Sequence, residues 1–152
     1  MIERTLLSLL RETLDVDRKM AFVSGPRQVG KTTLARQYQH RVPQSRYFNW
    51  DAVPDQKQLL KDPYFFEKEN RNPAQPFLVI FDEIHKYARW KNYLKGAYDQ
   101  FHEEFRFLVT GSGRNSSAST SENIAVLTPT PSPSDNIATA KKPGLRRMLR
   151  HA

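Results

Sequence analysis

The chain has 152 residues, enough for one domain with a sizeable core. It has no cysteine, which excludes a disulfide framework and thiolate chemistry, and no apolar run of membrane-spanning length, so a soluble cytoplasmic protein with no membrane partner is expected. Lys and Arg number 24 against 16 Asp and Glu, for a net charge of +8, and His40, His85, His102 and His151 show no metal-ligand spacing.

The first element is a docking helix. In MIERTLLSLL and the residues after it, Ile2, Leu6, Leu9, Leu10 and Leu14 share one face, while Glu3, Arg4, Arg11 and Glu12 lie off it. An early acid and this spacing argue against a signal peptide. Next, Met20–Val23 forms an apolar run that suits a buried strand, and it leads into Gly25–Thr32, GPRQVGKT, a full G-x-x-x-x-G-K-[ST] loop. Helix-forming residues follow from Thr32 through Tyr38. Strand, glycine loop and helix N-terminus together aim backbone N–H groups at one anion site. Gly25 and Gly30 allow positive φ and close approach to phosphates. Lys31 places an ammonium by the β- and γ-phosphates, and Thr32 is placed to ligate Mg²⁺. Pro26, Arg27, Gln28 and Val29 fill the loop. The expected nucleotide-binding set is therefore Gly25, Pro26, Arg27, Gln28, Val29, Gly30, Lys31, Thr32 and Thr33, with ATP and Mg²⁺ as cofactors.

Ser45–Asn49, SRYFN, reads as a second strand with Trp50-Asp51 at its tip. Asp55–Lys61 reads as a short polar helix between Pro54 and Pro63, Tyr64-Phe65-Phe66 as aromatic anchors, and Asn70–Pro76 as a loop. Phe77–Phe81 are five apolar residues in a row, the pattern of a strand buried on both faces of a parallel sheet. Asp82 and Glu83 follow at its C-terminal side, the edge at which ligands bind in open α/β sheets. Asp82 is expected to hold Mg²⁺ with Thr32, and Glu83 to polarise the attacking water as general base. Past Glu83, the residues Ile84, Tyr87, Trp90, Leu94, Ala97 or Tyr98, and Phe101 recur at helical spacing. Such a stripe can stack bases, but it fits better as a helix face packed on a sheet. Phe105–Thr110 is a further buried strand ending in Gly111-Ser112-Gly113, so Thr110 or Ser112 would sit near the γ-phosphate and sense hydrolysis; an ordinary strand-end turn is the alternative.

These segments (GPRQVGKTTLA, YFNWD, VIFDEIHKYARWKNYLKGAYD and LVTGSGR) come in an order that resembles AAA+ superfamily ATPases of prokaryotes, in the group with an N-terminal AAA-type ATPase domain and a separate C-terminal domain. The resemblance covers about residues 1–114. It implies an α/β fold, a parallel-sheet P-loop NTPase, with ATP and Mg²⁺ served by Lys31, Thr32, Asp82, Glu83 and Thr110. It also implies Lys31, Glu83 and Thr110 as the catalytic group of an ATPase yielding ADP and phosphate.

Composition changes after Arg114. All 17 aromatic residues lie at or before Phe107, and residues 115–152 are rich in Ser, Thr and Pro, with Ile124–Leu127 as the one short apolar run. This run buries too little by itself to offset ordering entropy, so disorder is expected over 115–152, with polyproline-like Thr128–Ser134. On this reading the domain is incomplete: a fifth strand, a lid and sensor residues are absent, and a truncation or a shifted reading frame after Arg114 accounts for the break. The strand at Phe22-Val23 would then be an apolar edge, open to self-association or to an unknown protein partner. Lys141-Lys142 and Arg146-Arg147-Met148-Leu149-Arg150 make a basic terminus that can bind nucleic acid through phosphates or remain a solvated tail. Three functions stay open: an ATP-binding ATPase domain, a non-catalytic truncated remnant, and a basic nucleic-acid-binding module with ATP only as a ligand.

Overall fold

A computed structural model describes the backbone of residues 2–25, 30–112 and 124–127 and the side chains of residues 5–24 and 30–111. Helix α1 (Ile2–Arg11) continues as a π-helical turn over Glu12–Val16 and leads to strand β1 (Met20–Gly25). Then come α2 (Lys31–Gln39), β2 (Ser45–Asn49), α3 (Val53–Lys61), β3 (Phe77–Asp82), α4 (Trp90–Phe101), β4 (Phe105–Ser112) and β5 (Ile124–Leu127). The strands form one sheet in the order β2-β3-β4-β1-β5, with every neighbouring pair parallel.

Side-chain alternation divides the core by the sheet plane. Met20 and Phe22 of β1, Phe77, Val79 and Phe81 of β3, and Phe105, Phe107 and Val109 of β4 point into one cluster with Phe48, Phe65, Phe66 and the buried side of α4. The residues between them, Ala21, Val23, Leu78, Ile80 and Leu108, point the other way and meet Leu6, Leu7, Leu9, Leu10 and Leu14 of the N-terminal helix and Leu34, Ala35 and Tyr38 of α2. The first layer is aromatic and the second aliphatic. β3 is buried along its whole length, as a five-residue apolar run between two such layers must be. The expected docking helix is present, and Leu7 joins its buried face.

Two expectations are corrected. The helix after Glu83 begins at Trp90, and Ile84–Lys86 is instead a 3₁₀ turn, although Ile84 is buried and Tyr87 packs on the same aromatic core. Disorder throughout 115–152 does not hold at Ile124–Leu127, which is the fifth strand, pairing with Met20–Val23 of β1. β1 is therefore an interior strand, with β4 on one side and β5 on the other. The rest of the expected tail, including the polyproline-like and basic segments, lies outside the described residues.

Candidate functional site

Three chain segments meet at the C-terminal ends of β1, β3 and β4. Gly25 ends β1 opposite Ser112 of β4. Gly30 has φ 79° and caps the N-terminus of α2. A Cβ at Gly30 would touch nothing within 4 Å, so the need for glycine there is the left-handed backbone and not space. Lys31 opens α2 and is only 7% exposed, whereas Thr32 and Thr33 lie exposed on its first turn. Pro26, Arg27, Gln28 and Val29 lie outside the described residues.

Asp82, the last residue of β3, is 4% exposed and is the hub of the site. Its Oδ2 accepts a hydrogen bond from the Thr32 hydroxyl at 3.0 Å, and its Oδ1 accepts one from Thr110 at 2.7 Å. The register explains the second contact, because Asp82 pairs directly with Thr110 across β3 and β4. A third donor, the hydroxyl of Tyr47 on β2, also bonds Oδ2. The Arg36 guanidinium lies 3.5 Å over the Tyr47 ring. Burial, and then the bond to Asp82, push the Tyr47 hydroxyl well above its ordinary pKa, so it acts as a fixed donor. Sequence reasoning did not identify Tyr47 or Arg36. Alternation puts Tyr47 and Asn49 on one face of β2, but the register that brings the tip of β2 level with Asp82 is set by the folded sheet.

Glu83 has a different set of neighbours. Its backbone is left-handed at φ 61°, a conformation that costs a non-glycine residue about 1–2 kcal/mol. Its N–H donates to the Thr110 carbonyl at 2.8 Å. Its carboxylate lies 3.5 Å from His85 Nε2 and 3.6 Å from Lys86 Nζ, and Lys86 also pairs with Asp51 at 2.8 Å. Burial lowers the His85 pKa, against the opposing pull of Glu83, and its Nδ1 is buried with no hydrogen-bond partner. The structure thus brings Thr32, Asp82 and Thr110 together, and it places Glu83 at the next position with a charged network reaching toward the tip of β2. The Ser112 side chain is outside the described residues.

The donor set suits a hard cation. Asp82 and Thr32 offer adjacent oxygens, the ligand type that Mg²⁺ prefers. Among the described residues no group of three His, Cys, Asp or Glu side chains converges, so a cation here would take its remaining ligands from phosphate and water, as Mg²⁺ does at nucleotide sites. Among the same residues no helix is long and apolar enough to cross a membrane.

A family model described as "AAA domain" matches residues 17–126. The match passes Arg114, the end of the last motif segment, and reaches into β5. No curated protein matches the chain. Among 70 matching chains of solved structures is one titled as the structure of C. elegans PCH-2, at 15% identity and a TM-score of 0.42. That alignment covers 82% of this chain, which spans only 40% of the matched one.

Proposed function

This chain belongs to the AAA domain family, and from that premise we propose that it binds ATP with Mg²⁺ at the ends of β1, β3 and β4 and has the residues to hydrolyse it. The observation that carries the reading is the hydroxyl–carboxylate–hydroxyl array Thr32–Asp82–Thr110, which ties the start of α2 to the tips of two strands. Lys31 and the N-terminal backbone of α2 hold the phosphates. Thr32 and Asp82 hold the metal, which when bound neutralises charge on the phosphate oxygens. Glu83 orients and deprotonates water, with His85 and Lys86 fixing its carboxylate from behind. Thr110 holds Asp82 from β4, so a change at the phosphates that moves Asp82 is passed to that strand.

The test is thermal unfolding with and without Mg-ATP, on the parent, Lys31→Ala and Glu83→Gln. A ligand at 100 times its Kd stabilises the state that binds it by about 2.7 kcal/mol, so the parent and Glu83→Gln should melt several degrees higher with Mg-ATP. Lys31→Ala should not respond. Phosphate release should fall by roughly 10²–10⁴ in Glu83→Gln, the usual contribution of a positioned general base. If Mg-ATP leaves the parent's melting temperature unchanged, the reading fails. If Lys31→Ala responds as the parent does, the assigned site is the wrong one.

A further inference from the structure

Asp82 is held from both sides. It ends β3, which has β2 on one flank and β4 on the other. Thr110, its direct partner on β4, donates to Oδ1 at 2.7 Å. Tyr47 of β2 donates to the other oxygen, Oδ2, which also accepts from Thr32 at 3.0 Å. Tyr47 has further to reach than Thr110. It pairs with Ile80, two residues short of Asp82, so the two side chains share a face while their backbones are offset by roughly 6.6 Å at strand rise. A serine or threonine at this position would fall short of that span, whereas a phenol ring covers it and carries a hydroxyl at its far end. The ring packs on the aliphatic layer, and the Arg36 guanidinium lies 3.5 Å from its centroid on the open side. Tyr47 is therefore held in place by contacts that do not involve Asp82.

The terminal torsion of an aspartate is broad, so a carboxylate held at one oxygen still swings about its Cβ–Cγ bond. A bond to each oxygen, from opposite neighbouring strands, stops that motion. Thr32, on the exposed first turn of α2, is no fixed anchor, because its own oxygen is offered to the metal. An ionised carboxylate has about four acceptor positions, and the three hydroxyls take three of them, which leaves about one for the metal or for a water on it. Tyr47 and Thr110 together decide which position stays open and where it points. We propose that Tyr47 is a positioning residue for the metal: through its bond to Oδ2 it fixes the orientation in which Asp82 meets Mg²⁺. This role rests on Mg-ATP being the ligand of the site, and it brings in a residue from β2.

Calorimetric titration of the full chain with a non-hydrolysable ATP analogue, once in Mg²⁺ and once in EDTA, tests this on the parent and on Tyr47→Phe. Phenylalanine keeps the ring and its packing and removes only the hydroxyl. The parent should bind more tightly in Mg²⁺ than in EDTA. Tyr47→Phe should match the parent in EDTA and bind roughly 10–100-fold more weakly than the parent in Mg²⁺, the usual loss when the hydrogen bond behind a metal ligand is removed. Equal affinities of the two proteins in Mg²⁺ overturn the inference and leave the nucleotide site standing. So does an equal weakening of the variant in both buffers, which would make Tyr47 a support of the fold or of the nucleotide and not of the metal. A parent that binds equally well in both buffers overturns it too. If the parent binds in neither buffer, the Mg-ATP reading itself fails, and Tyr47 has no metal to position.

Discussion

Asp82 and Glu83 are neighbours in the chain, but the backbone turns between them and sends their side chains to different partners. Asp82 stays in the extended strand and collects three hydroxyl donors, whereas Glu83 takes a left-handed φ and faces His85 and Lys86. His85 carries the pH dependence of this corner. Burial depresses its pKa in the folded protein, with Glu83 opposing the shift. The unfolded chain therefore binds this proton more readily than the folded one. The resulting contribution to stability is complete above the ordinary histidine pKa of about 6.5 and is lost as pH falls through the lower folded value. Urea midpoints at pH 7.5 and pH 5.5 test this. The parent should lose more stability between the two than His85→Gln does, and equal losses would remove His85 from the account. The carboxylate pair was legible in the sequence because it follows a long apolar run. The Tyr47 contact was not, because it depends on the register of β2 against β3, which only the folded sheet fixes.

At the level of elements, the strands were the most legible part. β2 matches its expected span of Ser45–Asn49, and β3 and β4 extend their expected runs by one and two residues. β3 and most of β4 are blocks of apolar or aromatic residues covered on both faces, so composition marks them, whereas β2 buries only Phe48 fully and is marked by its aromatic pair Tyr47-Phe48. The α4 boundary was less legible for a physical reason. Ile84 and Tyr87 are three residues apart, a spacing that one 3₁₀ turn brings to the same side as well as an α-helix does. The apolar rhythm therefore runs unbroken through a change of helix type, and only the extended Tyr87 and the turn before Trp90 separate the two. Phe66 shows what the aromatic layer contributes. It is fully buried, sits in the 3₁₀ turn between α3 and β3, and makes edge contacts with Phe81, Phe101, Phe105 and Phe107, which belong to three other elements. Phe66→Ala should cost about 3–5 kcal/mol, because the four rings around the cavity are themselves held by the sheet and α4 and cannot collapse into it. Denaturant unfolding measures this, and a loss under about 1 kcal/mol would show that the layer repacks.

For the molecule as a whole, the fifth strand decides whether the sheet has an open hydrophobic edge at β1. Ile124–Leu127 is four residues long and lies among Ser, Thr and Pro, so nothing local marks it as ordered. Its stabilisation comes from a pairing about a hundred residues away in sequence, with Met20–Val23. Local composition cannot report such a contact, because the partner strand lies at the other end of the chain, and the long intervening loop adds only slightly to the closure cost. A pair of prolines tests whether the strand is in register. In a parallel ladder the N–H and C=O of one residue point to the same neighbour, and alternate residues serve alternate sides. As β5 pairs among the described residues with β1 alone, one of Ala125 and Val126 donates its N–H to β1 and the other does not. Ala125→Pro and Val126→Pro should therefore differ. One removes a ladder bond, lowers the melting temperature by several degrees and uncovers β1, so that the protein self-associates; the other stays near the parent, because proline is tolerated where an edge strand's N–H faces solvent. Melting curves and size-exclusion profiles of the two variants read the result. If both behave like the parent, β5 contributes nothing to the fold and β1 is stable as an edge; if one fails and the other does not, the Phe22-Val23 strand that leads to the phosphate loop depends on this short run for its shelter.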